Sequence, residues 1–167
     1  MRIFFKRVLV LLLGGYFIYG SFDPLGCRLV NSADLLFHEG GHVLFGVFGE
    51  YLGMWGGTLM QLLIPLMIAI YFLRRGDDFS ARMVLCWFGQ NFFNIASYIK
   101  DARSGSLPLV GGGVHDWHFI LGRIGLLNMD QWIGNAVWCT GFAVIIHSVF
   151  MGILSAGEGK GQYEGGS

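Results

Sequence analysis

Residues 34–52 read DLLFHEGGHVLFGVFGEYL, an apolar run interrupted by His38, Glu39, His42 and Glu50. Its pattern predicts a helix. Asn31 or Ser32 can cap the start, and Asp34 suits the positive end of the helix dipole. Ionisable groups in such a segment are costly in lipid unless they have partners and a task. On a helix, residues four apart stand one turn above each other, so the imidazoles of His38 and His42 can reach one metal ion. Glu39 projects beside them, where it can accept a proton from water that the metal activates. Two stacked core histidines with a chance glutamate would write the same HExxH letters. In an apolar segment, however, two histidines and a glutamate need a compensating partner, and a divalent metal supplies one. Gly40 and Gly41 each lower helix propensity by up to about 1 kcal/mol relative to Ala. In return they let another backbone approach, either a packed helix or a substrate.

The surrounding composition names the solvent. The chain has 167 residues, 54% hydrophobic and 13% charged, with a mean hydropathy of +0.57. A soluble domain carries about a quarter charged residues, so roughly half the usual charge is missing. Eleven basic residues balance eleven acidic ones, which gives no electrostatic footprint for nucleic acid. An aromatic content of 16% argues against disorder. Cys27, Cys86 and Cys139 form no CxxC, which excludes a sulfur zinc site and a disulfide scaffold. The expected fold is all-α: a polytopic transmembrane helix bundle of about four spans plus a membrane-dipping HExxH helix. One membrane-embedded domain is expected over 1–154, followed by a Gly-rich, polar, disordered tail over 155–167.

Four runs are long enough to cross or nearly so: 8–22, 58–73, 83–99 and 135–154. The first follows Arg2, Lys6 and Arg7, which predicts a retained span with a cytoplasmic N-terminus. If 34–52 crosses fully, six basic residues fall inside and five outside. If it dips and returns, Arg2, Lys6, Arg7, Arg74, Arg75, Arg82 and Lys160 fall inside, seven against four, which obeys the positive-inside rule better. The stretch 119–127 is too short to span and reads as an interfacial helix.

A catalytic zinc needs a third protein ligand and an open position for water. Asp101 is one candidate: it shares a helix face with Asn91, Asn94 and Tyr98, and a polar stripe in a membrane helix faces a site or a watery cavity. An ion pair with Lys100 or Arg103 would also account for it. His115 and Asp116 are the rival pair, on a loop whose three glycines, Gly111 to Gly113, could fold it over the site. Asp116 could equally be an ordinary helix cap.

The arrangement resembles the site-2-type intramembrane metalloproteases. HEGGH at 38–42 matches that family's motif, and Gly57-Thr58-Leu59-Met60-Gln61 stands where its second core span opens. Asn94 with Asp101 matches its Asn…Asp pair. Gln61 replaces an Asn, Ala102 replaces a Gly, and the Pro after Asn is absent. The resemblance implies Zn²⁺ on His38, His42 and Asp101, with Glu39 as general base. It also implies membrane-associated or membrane-spanning substrates. The chain is similar as well to a small bacterial group pairing HExGH with a GGG…HDW loop, which implies that His115 and Asp116 join the site. The expectation is a zinc metallopeptidase of a bacterial inner membrane, whose partners are the lipid bilayer and a membrane protein or peptide substrate. The alternatives are a non-catalytic metal-binding or transport protein and a structural subunit of a membrane complex.

Overall fold

The computed structural model describes residues 1–22, 28–109 and 114–158, apart from the side chains of Arg2, Arg28, Leu29 and Glu158. Gly111 to Gly113, Cys27 and the part of the expected tail over 159–167 lie outside the described residues. The described residues are mainly helical, with no strand among them: α1 (Arg2–Gly20), α2 (Arg28–Gly46), α3 (Glu50–Arg74), α4 (Asp78–Asp101), α5 (Asp116–Arg123) and α6 (Asp130–Glu158), with a 3-10 turn at Leu127–Met129 before α6. Three stretches are long and apolar enough to cross a membrane, Ile3–Gly20, Glu50–Arg74 and Leu127–Gly157. The expected span over 83–99 lies inside α4, which at 24 residues has the length but carries Gln90, Asn91 and Asn94 along its course. Those residues lower its hydropathy because α4 is the central helix, packed against α1, α3 and α6, and its polar side chains turn inward.

Several helix limits differ from those the sequence suggests. Asn31 and Ser32 lie within α2 rather than capping it, and α2 stops at Gly46 instead of running to Leu52. The chain turns at Gly49, whose φ of 111° is open to glycine and strained for other residues. Glu50 therefore opens α3, which is longer than the expected span over 58–73. Residues 155–158, expected in the tail, continue α6. The short helix begins at Asp116 rather than 119, because His115 caps it by accepting from the His118 N–H at 3.3 Å.

α2 and α3 form an antiparallel hairpin in near backbone contact. A Cβ at Gly41 would lie 2.1 Å from the Gly56 carbonyl oxygen, and one at Gly53 would lie 3.1 Å from the Gly46 Cα. Small residues at these crossings are what allow the hairpin to close. α4 and α6 use the same device at Gly89 and Gly141. α2 starts halfway along α4, where Asn31 accepts from Gln90 and Asp34 from Trp87. It runs from there to the end of the bundle that carries α5.

The two ends differ in charge. At one, Lys6 lies over the Phe79 ring at 4.7 Å, Arg7 donates to the Ile153 carbonyl at 3.3 Å, and Arg82 packs beside Gly152. The turn with Arg74 and Arg75 joins α3 to α4 at that same end. At the other end Arg103 pairs with Asp130 at 2.7 Å, Lys100 lies against Gly134, and Arg123 sits 5.9 Å from the Tyr51 ring centre. Among the described side chains, Lys6, Arg7, Arg74, Arg75 and Arg82 thus share one end and Lys100, Arg103 and Arg123 the other, while Lys160 lies outside the described residues.

Candidate metal centre

His38 and His42 project from α2 onto α3, where three residues receive them. His42 Nδ1 lies 2.8 Å from the Gly53 carbonyl oxygen. A carbonyl only accepts, so Nδ1 carries the proton and the neutral ring presents a lone pair at Nε2. His38 Nδ1 lies 3.3 Å from Gln61 Oε1, while Gln61 Nε2 donates to Asn94 Oδ1 at 3.2 Å. Asn94 thus orients the Gln61 amide, and the amide sets the same tautomer on His38. Such outer contacts hold metal-ligating histidines in place.

Both Nε2 atoms point to the first turn of α5. Asp116 Oδ2 lies 2.9 Å from His38 Nε2 and 3.1 Å from His42 Nε2, and the two nitrogens are 3.0 Å apart. His38, His42 and Asp116 can therefore offer three ligand atoms to one ion. Two imidazole lone pairs and a carboxylate oxygen repel one another at this spacing unless positive charge lies among them. A tetrahedral zinc with N and O ligands at about 2.0–2.2 Å fits that requirement and spaces its ligands only slightly wider. Burial alone would raise the Asp116 carboxyl. With no metal between them, a second proton on the imidazoles of His38 and His42 outweighs burial and holds the group down at about 2.

Gly57 leaves the space. A Cβ there would lie 2.6 Å from His38 Nε2 and 2.7 Å from His42 Nε2, on the side where the lone pairs converge. Gly57→Ala is accordingly expected to abolish metal binding while the helical fold survives, since Ala otherwise favours a helix. Zinc content and circular dichroism of the purified variant check this; a full zinc complement would show that the space is not needed.

α5 is held by its apolar side. Trp117, Ile120 and Leu121 are buried with Ile95, Ile99 and Ala102 of α4 and its end, and Trp117 meets Trp55 of α3 edge to face at 5.2 Å. That docking aims Asp116 at the histidines. Glu39 is half-buried on α2 and makes no hydrogen bond among the described residues, yet its charge reaches His42 and Tyr98.

Asp101, expected to complete the site, is placed elsewhere. Its Oδ1 accepts from Ser104 Oγ at 2.6 Å and from the Ser106 N–H at 2.9 Å, and its Oδ2 accepts from the Leu107 N–H at 2.9 Å. These bonds shape the loop after α4 and occupy both oxygens. His115 stays out of the cluster too: its Nδ1 caps α5 and its Nε2 lies 3.6 Å from Asp101 Oδ2. Of the rival pair, Asp116 joins the histidines and His115 braces the loop behind it. Gln61, Gly53 and Gly57 are the contributors that motif spacing did not identify. Only the glycine-led opening of the second core segment hinted at them.

Set against known protein families, curated proteins and solved structures, the chain matches none.

Proposed function

We propose that the protein is a membrane-embedded zinc metallopeptidase, with His38, His42 and Asp116 as the ligands and Glu39 as general base. The observation that carries this reading is the meeting of two oriented Nε2 lone pairs with a carboxylate oxygen, all within 3.1 Å, beside a glycine-made space. Zinc bound there would polarise a peptide carbonyl and lower the pKa of water towards about 7. Glu39 accepts the proton of the attacking water and passes it to the leaving nitrogen. Asp116 places negative charge against both imidazoles, and Gln61 with the Gly53 carbonyl keeps their Nδ1 protons in place.

The setting suits slow access of water. Asn94, at the level of His38, lies seven residues before the end of α4, about 10 Å deep at 1.5 Å per residue. With the Arg7 and Arg82 end cytoplasmic by the positive-inside rule, the centre lies nearer the outer face of a bacterial inner membrane. Membrane-spanning or membrane-associated polypeptides are then the substrates.

Elemental analysis of the purified protein tests the first step. About one zinc per chain is expected, lost in His38→Ala, together with metal-dependent cleavage of co-expressed single-span membrane proteins. A metal-free wild type would end this reading.

A further inference from the structure

The end of α3 carries an apolar face that runs into a pair of cations, and the chemistry above makes no use of it. Met67, Ile70, Tyr71 and Arg74 follow one another at three- and four-residue spacing, so they share one side of the helix. With Arg75 they line a shallow groove on the outside of the bundle. Met67 is 53% exposed, Ile70 40% and Tyr71 50%, whereas Pro65 and Ala69 on the inward side are buried. Among the described residues α2 crosses α3 at Gly53 and Gly56 and bonds to Gln61, all before Pro65, and leaves this face open.

The cations are positioned but not neutralised. Arg75 lies over the Tyr71 ring, 4.9 Å from its centre, a contact that orients a guanidinium and leaves its charge in place. Neither Arg74 nor Arg75 forms an ion pair among the described residues. The next carboxylates in the chain belong to the start of α4. Asp77 accepts from the Ser80 N–H at 3.1 Å and from Ser80 Oγ at 2.6 Å, and Asp78 sits in the first turn, where the helix dipole favours it. Because α3 is long and apolar enough to cross a membrane and ends at these arginines, the groove faces lipid and opens at headgroup level. From Met67 to Arg74 it runs about 10 Å at 1.5 Å per residue, room for the upper part of an acyl chain. Its occupant therefore needs negative charge at one end and hydrocarbon at the other. The guanidinium fork matches phosphate oxygens. A zwitterionic headgroup would set its own cation beside the arginines, and a free phosphate would leave the apolar part bare. An anionic phospholipid satisfies both ends.

We infer that Met67, Ile70, Tyr71, Arg74 and Arg75 form a binding site for one anionic phospholipid, with its phosphate on the arginines and an acyl chain along Ile70 and Met67. Purified protein in a non-ionic detergent is titrated with dioleoylphosphatidylglycerol, dioleoylphosphatidylcholine or glycerol phosphate. Native mass spectrometry counts the bound molecules, and thermal unfolding is followed beside it. About one phosphatidylglycerol per chain is expected, with a midpoint higher by about 2–5 °C. The other two are expected to bind at least about tenfold more weakly. The double variant Arg74→Gln, Arg75→Gln is expected to weaken phosphatidylglycerol binding at least about tenfold, since each basic residue at a membrane surface contributes about fivefold. Should it fail to fold, Met67→Trp, which fills the groove and keeps the charge, is expected to weaken binding in the same direction. The control pair Lys6→Gln, Arg7→Gln removes as much charge from α1, which packs on α4 and α6, and is expected to keep the lipid. Equal loss in the two double variants overturns the site, because diffuse charge would then hold the lipid. Phosphatidylcholine or glycerol phosphate binding as tightly as phosphatidylglycerol overturns it too, the one by removing the part of the arginines and the other that of the groove. So does unchanged binding in Met67→Trp or in the Arg74, Arg75 variant.

Discussion

Glu39→Gln is expected to leave zinc bound and to slow hydrolysis by at least about 100-fold. The amide keeps the size of the side chain but cannot take a proton from water, and general-base catalysis contributes about 10² to 10⁴-fold. The metal stays because Glu39 stands outside the group of His38, His42 and Asp116. An ion-transport role gives the opposite pattern: with Glu39 as a ligand, the Gln variant loses the ion and has no hydrolysis to lose. Zinc content measured beside cleavage of a co-expressed membrane substrate separates the two. Unchanged cleavage in the Gln variant would remove the peptidase mechanism as drawn.

The second large effect concerns the third ligand. Asp116→Ala is expected to weaken zinc binding at least about 100-fold, beyond the 10- to 100-fold typical of losing an outer-shell contact. Asp101→Asn is expected to retain the metal, since its carboxylate is already engaged by Ser104, Ser106 and Leu107. Competition against a chromophoric chelator gives both affinities. If the two variants exchange behaviour, Asp101 rather than Asp116 completes the centre.

The part of the site legible in the sequence is the part made locally. His38 and His42 are paired by helix geometry alone, and any helix over 38–42 puts them on one face. Asp116 reaches His38 across 78 residues, and no local pattern decides which distant carboxylate arrives. Asp101 sat on a polar helix face at a plausible level, and the hydrogen bonds that draw it into its own loop depend on a turn that spacing does not encode. The apolar runs made the helical fold readable, because lipid demands continuous apolar helices. The break at Gly49 was hidden for a related reason: a glycine inside an apolar run can pack against a helix or end one, and only the hairpin partner settles which. The polar stripe of Asn91, Asn94, Tyr98 and Asp101 was visible as periodicity, whereas the bonds of Gln90 to α2 and of Asn94 to α3 were not.

The distance along the chain between His38 and Asp116 also sets an order of events during biogenesis. The imidazole pair exists as soon as α2 is helical, while the chain is still being made. The carboxylate arrives only after α4 has packed and α5 has seated Trp117 against Trp55, a long loop closure that local helices do not require. On the proposed function, a nascent or misassembled copy carries half a centre and no hydrolytic competence. Closure of the bundle is then the step that would complete the proposed centre.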